Sequence, residues 1–239
     1  MNRAKLVITL LLLPIYLSVT AQSLNIGWNI GDRFVHTYFD NKGRVKQINN
    51  STVSDIVVDG DKMVYTVTTS VFDNAGRPIS LDGQKRTNSL SHKVCVGSNS
   101  ILFVDMASLF QNIPIPKDEN ITISELGELP EVPRYPTIGA LPDREYTISV
   151  ASGKMDMPIK FSYTKRAVSG QEVVKTDCGE FFCWKVTERM KVSVLFVKKN
   201  FICTTWFADG IGIVKQEIAD GSGKVTSSDC LTEFKSVNK

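Results

Sequence analysis

The sequence predicts an all-β protein: one large, curved antiparallel sheet, or half-open barrel, with a short helix and a proline-rich, lid-like connection. Three observations predict it. Along Trp184 to Phe196 the residues alternate with period two. Trp184, Val186, Glu188, Met190, Val192, Val194 and Phe196 fall on one side, and Lys185, Thr187, Arg189, Lys191, Ser193 and Leu195 on the other. Successive strand side chains point to opposite faces, so this is a strand with one buried side. Turn-forming Asp, Asn and Gly clusters separate several such runs. Finally, prolines 114, 116, 130, 133, 136 and 142 crowd one stretch, residues 112–144, where a sheet ladder cannot run unbroken.

In chain order, Arg33 to Asp40 reads as a strand ending in the turn Asp40-Asn41-Lys42-Gly43. Asp59-Gly60-Asp61 is a hairpin signal between Ile56–Val58 and the alternating run Met63, Tyr65, Val67, Thr69, Val71. Met106 to Gln111 is short, rich in helix formers and followed by prolines, which predicts a turn of helix. Ile121–Ser124 is a short strand inside the long connection. The last third is a β-meander: Ala208-Asp209-Gly210 divides Phe201–Phe207 from Ile211–Ile218, and Asp220-Gly221-Ser222-Gly223 divides that strand from Lys224–Phe234.

Arg3 and Lys5, the apolar run Leu6–Leu13 and the small residues of Val19-Thr20-Ala21 predict a secretory leader over residues 1–21, with cleavage near Ala21 and Gln22 as the new N-terminus. Residues 22–239 then form a single β domain, exported to the periplasm or secreted, with no transmembrane segment. That mature chain keeps 26 basic and 25 acidic residues, a net charge of +1. Such a balance points to no nucleic-acid partner and no anionic membrane.

The residues carry no recognisable chemistry, and no enzyme is expected. His36 and His92 lack metal-ligand spacing and read as surface residues. No phosphate loop or GxSxG elbow is present. Asp118, Glu119, Glu125 and Glu128 form an acidic patch without a calcium-loop pattern. No cofactor is implied. Five cysteines (95, 178, 183, 203 and 230) occupy a compartment that permits disulfides. If residues 179–182 form a hairpin loop, Cys178 and Cys183 face each other and are a candidate disulfide. Cys203 and Cys230, both in the terminal meander, read as buried thiols or as a second pair, and a nucleophilic cysteine is a weaker reading.

Thr176-Asp177-Cys178-Gly179-Glu180-Phe181-Phe182-Cys183-Trp184-Lys185-Val186 resembles the T-P-A-G-T-F-D-C-Y-K-V signature of TapB-like exported bacterial proteins. Thr205-Trp206-Phe207-Ala208-Asp209-Gly210-Ile211-Gly212-Ile213-Val214-Lys215 resembles their E-W-Y-A-K-G-V-G-L-V-K. Gly31–Phe34 is similar to their first-strand opening, and Leu141-Pro142-Asp143 to their L-P-D-G element, with Arg144 in place of the glycine. The resemblance implies an exported protein whose curved sheet is similar in outline to the half-barrels of periplasmic lipoprotein carriers, within a wider family of unknown function. It brings no activity and no functional residues. Two functions fit these readings. One is holding an apolar, lipid-like ligand or an extended polypeptide in the sheet's concavity. The other is recruiting a cell-envelope protein through an edge strand.

Overall fold

The computed structural model describes residues 23–79, 88–102, 121–152 and 155–238. The leader and the helix expected at Met106–Gln111 lie outside the described residues. Everything regular within them is strand: β1 (Arg33–Asp40), β2 (Val45–Asp59), β3 (Lys62–Asp73), β4 (Ser89–Val96), β5 (Ser100–Leu102), β6 (Ile121–Gly127), β7 (Val132–Pro133), β8 (Gly139–Ala140), β9 (Arg144–Ser152), β10 (Met155–Thr176), β11 (Gly179–Val194), β12 (Val197–Ala208), β13 (Gly212–Asp220) and β14 (Val225–Lys235). One antiparallel sheet holds them in the order β6-β9-β10-β11-β12-β13-β14-β1-β2-β3-β4-β5-β7, with β8 added beside β10. The ends, β6 and β7, do not meet, so the sheet is open.

Three of its hairpins turn on one device. The Oδ1 atoms of Asp40, Asp73 and Asp220 each accept two backbone N–H bonds from the next four residues, from Lys42 and Arg44, Ala75 and Arg77, and Ser222 and Lys224. A short carboxylate satisfying its own turn is why aspartate opens each of them. The Arg44 side chain, whose Nε donates to Asp40 Oδ2 at 2.8 Å, and then the backbone amides of Arg44 and Lys42 hold the Asp40 carboxyl far below the ordinary carboxylate range.

The sheet curls over one face. A single cluster there joins Val168, Trp184, Val186 and Phe207 of β10–β12 to Phe34, Val53, Tyr65, Val67, Val94, Val96 and Ile101 at the far end of the sheet. Strands so distant in pairing order touch only when the sheet bends round them, which makes this the concave face. The segment before β1 fills it further. Leu24 and Ile26 are buried, Trp28 packs edge-on against Tyr65 at 5.4 Å, and the Tyr65 hydroxyl donates to the Ile26 carbonyl at 2.8 Å. Asp32, 1% exposed, accepts the amides of Asn29 and Val237, fastening the two ends of the domain together.

Two expectations change. The proline-rich connection, where described, is a strap within the fold rather than a lid. Leaving β6, it crosses to the opposite end of the sheet, where Val132 pairs with Ile101. It then returns to pair Gly139 and Ala140 with Val168 and Ala167. Val132 and Pro136 are buried, and Pro133 closes the two-residue β7, where a missing ladder bond costs little. The long strand also ends earlier than its alternation suggests. Val194 pairs with Val197, so Leu195 and Phe196 form the turn, and Phe196 is 99% exposed rather than on the buried face.

Candidate functional site: the strap and the polar row of the concave face

Half of the concave face is polar. Pairing runs from Val186 to Thr205, from Thr205 to Gln216, from Gln216 to Asp229 and from Asp229 to Tyr38, so these side chains share one face across five strands. Gln216 donates to the Thr205 hydroxyl at 3.1 Å. His36, opposite Leu231 in the same row, lies 3.1 Å from both carboxylate oxygens of Asp229. It is therefore an inward-facing residue with a 16% exposed side chain, not the surface histidine expected. His92 is also half-buried. Burial, reinforced by the Asp229 carboxylate, pushes the Tyr38 phenol well above its ordinary range.

The row ends at Arg166, the centre of the arrangement. It sits in a bulge of β10, beside Lys165 at φ 52°. Its Nε bonds Glu188 Oε2 at 2.9 Å, Nη1 the Pro142 carbonyl at 3.0 Å, and Nη2 the Glu131 carbonyl at 2.8 Å. One guanidinium thus ties β11 to both arms of the strap, using the planar fork that distinguishes arginine from lysine. Leu141-Pro142-Asp143 completes the clamp. The Leu141 amide donates to the Arg166 carbonyl, and Asp143 accepts the Lys165 amide at 3.1 Å.

Two spaces adjoin the clamp. A cavity of about 90 Å³ lies among Tyr163, Arg166, Glu188, Thr205, Phe207 and Leu129, room for a few waters. Nearer the mouth, a space of about 500 Å³ is lined by Leu102, Gly127, Glu128, Leu129, Glu131, Arg144 and Tyr146. Burial, then the Glu188 carboxylate, raises the Tyr163 phenol.

The connection's apolar residues divide. Leu129 and Leu141 pack against the core, whereas Leu126 and Ile138 are 77% and 72% exposed; Phe110 and Ile113 lie outside the described residues. Of the acidic patch, Glu128 pairs with Arg144 at 3.2 Å, and Asp118 and Glu119 lie outside the described residues. Among the described residues no group of side chains has the makings of a metal site.

The hairpin behind the proposed Cys178–Cys183 bridge has another register. Thr176 pairs with Gly179, and Glu172, not Cys178, lies opposite Cys183. The turn is therefore Asp177-Cys178, and none of the five cysteines is in a disulfide. Cys178 Sγ instead reaches the Leu231 carbonyl at 3.6 Å. Cys183 lies on the other face in a small cluster with Trp206 and Val214. Trp206 donates there to Glu172, and Lys185 and Lys215 stand over its ring at 5.2 and 4.9 Å. Burial, then the carboxylates of Glu172 and Glu188, pushes the thiols of Cys183 and Cys203 up to about 12 each. Both stay protonated and inert at neutral pH. Iodoacetamide at pH 7.5 is expected to add at most three groups to the native chain and five after denaturation, read by intact mass. A fourth fast adduct on the native chain would contradict this environment.

Arg166, Glu188 and Asp229 carry the site, and sequence reasoning singled out none of them. One signal was there: Glu188 is the only charged residue on the apolar side of the alternating run Trp184–Phe196, and a charge so placed needs a buried partner.

Fold and site define an open half-barrel β protein whose concave face is half filled by its own strap. The chain belongs to the DUF3108-like family, whose model matches residues 29–231. Two solved structures share the fold. A protein inferred to be exported, with a YmcC-like fold, from Bacteroides fragilis is 18% identical, with a TM-score of 0.66 over 90% of this chain and 100% of that one. A protein inferred to be a lipoprotein, from Parabacteroides distasonis, is 16% identical, with a TM-score of 0.64 over 89% and 99% of the two chains. A search of curated protein sequences gives no match.

Proposed function

We propose that this chain is exported and works as an interaction module of the cell envelope, taking an extended segment of a partner protein as an added strand along β6. The contrast between the two ends of the sheet carries this reading. At one end, β5 and β7 are three and two residues long and finish in Pro133, the blunting by which proteins protect an edge. At the other, β6 is seven residues long, Ile-Thr-Ile-Ser-Glu-Leu-Gly, without Pro or Lys. It pairs with β9 without a bulge, and no strand among the described residues covers its outer side. Such an edge is a template for strand addition, and Leu126 offers the added strand an exposed apolar contact.

Export is supported by the leader pattern and by the names of the two structural relatives. The resemblance of Thr176–Val186 and Thr205–Lys215 to the TapB-like motifs supports a place near those proteins within the family. No catalytic role is part of this reading. The mouth space of about 500 Å³, in the range of small-ligand pockets, favours a second reading. Its apolar Leu102 and Leu129 beside Arg144 and Glu128 suit an amphipathic, lipid-like ligand.

A photo-cross-linker at position 126, in cells making the protein, is expected to capture one envelope protein through an extended segment. Glu125→Pro, at an amide that the register turns away from β9, should abolish the adduct while the unfolding midpoint changes little. An adduct indifferent to the proline, or none, sinks strand addition. A small mass that co-purifies and leaves on denaturation, seen in native mass spectrometry of the same sample, would put the ligand reading in its place.

A further inference from the structure

The β11–β12 hairpin ends in a turn whose residues contradict turn chemistry. Two-residue hairpin turns favour Asn-Gly or a leading glycine, because the first turn position takes positive φ. Here that position is Leu195, at φ 49°, and the next is Phe196. Leucine in the left-handed region is strained, and strain that a commoner residue would relieve is concentrated at functional positions. Nor is it offset by burial. Leu195, Phe196 and Val197 are 67%, 99% and 59% exposed. The apex is rigidly carried, since β11 and β12 stay paired without a bulge down to Val194 and Val197. It also stands clear of its neighbour on one side. The β13–β14 hairpin turns just after Asp220, which pairs with Phe201, whereas β12 runs on to Val197. On the other side β10 extends past Val194, pairing with β9 as far as Met155.

Charge indicates what this apex meets. Lys191, Lys198 and Lys199, all exposed, ring its base. Pairing puts Lys199 opposite Val192 and Lys198 opposite Ser193, one on each face of the hairpin, so the collar is two-sided. Among the described residues none of the three has an ion-pair partner within 4 Å, although Lys191 shares a cross-strand row with Glu145 and acts on its carboxylate. The same end of the sheet carries the β1–β2 and β13–β14 turns with Lys42 and Lys224, as the register from β12 through β13 and β14 to β1 requires. A protein pocket would need only the apolar tip. An apolar apex above a collar of long basic side chains matches a bilayer, whose acyl region takes the rings and whose anionic headgroups take the ammonium groups.

We infer that the Leu195-Phe196 apex inserts into the surface of an anionic lipid membrane, with Lys191, Lys198 and Lys199 on the headgroups, docking this end of the sheet against the bilayer. This does not rest on strand addition at β6, which lies at the sheet's edge and is untouched by the variants below.

Co-sedimentation of the chain beginning at Gln22 with vesicles tests it. Vesicles of phosphatidylethanolamine with three-tenths phosphatidylglycerol should bind the chain, and pure phosphatidylcholine should not. Removing each lysine should weaken binding about fivefold, so Lys198→Ala with Lys199→Ala lowers it about 25-fold, and added salt should act in the same direction. Leu195→Asn with Phe196→Gly installs the favoured turn. It should fold at least as well, by thermal unfolding, and lose binding at least tenfold. Phe196→Ser, which leaves the turn backbone alone, should also weaken binding if the double variant alters folding. Failure of the unmodified chain to bind phosphatidylglycerol vesicles would overturn the inference, as would undiminished binding by the apex variants. An apex that proves instead to join two copies, lost as a dimer in the variants without any vesicle binding, would overturn it as well.

Discussion

Replacing Arg166 with alanine is expected to destabilise the fold by about 3–5 kcal/mol, the range for leaving one partner of a buried ion pair uncompensated. Three groups lose their donor at once: the Glu188 carboxylate and the carbonyls of Pro142 and Glu131. The Arg166 and Glu188 side chains are only 2% and 17% exposed, so water replaces the lost contacts poorly. Denaturant titration gives the size of the effect. Hydrogen exchange locates it, because the Leu141 amide, bound to the Arg166 carbonyl, should open with the strap. Replacing both charges, by Arg166→Met with Glu188→Leu, should cost less than Arg166→Ala alone, since no unpaired charge remains. A loss below about 1 kcal/mol for the single variant, the scale of a solvent-exposed pair, would show that the strap is held elsewhere.

Phe207→Ala is the second large effect, about 3–5 kcal/mol for deleting a buried phenylalanine. Phe207 is 5% exposed, belongs to the cluster that joins the two ends of the sheet, and also forms a wall of the 90 Å³ cavity beside Arg166. Its removal merges two voids instead of leaving one that neighbours can close, which puts the expected loss toward the top of the range. The contrast is Phe196→Ala, at a residue 99% exposed, where a change within about 0.5 kcal/mol is expected. Equal losses at the two positions would refute the placement of the core. Local pattern does not separate the two phenylalanines: Phe196 falls on the apolar side of the run from Trp184, and Phe207 closes the run from Phe201. What separates them is the position of one turn.

That difference marks where sequence reasoning stops. Strands β1, β3 and β11 to β14 were legible because alternation and turn residues are local, and the Asp-led turns also write their own hydrogen bonds. The strap was legible only as a proline cluster. That it crosses the mouth and pairs at both ends of the sheet depends on Val132 meeting Ile101 and on Ala140 meeting Ala167, contacts between residues remote in sequence. The Cys178–Cys183 pairing failed for a related reason. A hairpin of the same composition can turn at residues 177–178 or at 179–182, and only the register with β10 settles which. The site was faintest. Glu188 on an apolar strand face announced a buried charge, but its partner, Arg166, lies 22 residues away in a bulge whose geometry no periodicity reports.

Local patterning by itself determined the class of this protein: apolar–polar alternation fixes which side of each strand is buried, and aspartate, asparagine and glycine fix most turns. Tertiary structure alone decided how far the sheet curls, which edge is left open, which charges meet inside and which hydrophobic residues stay in water. Those outcomes come from packing among strands that pair far apart in the chain, where the hydrophobic effect is non-directional and many registers satisfy the same pattern. Net charge shows the same limit. A chain with 28 basic and 25 acidic residues, close to balance, still gathers lysines round a single apex, because a sum over the sequence carries no information about where folding puts its members.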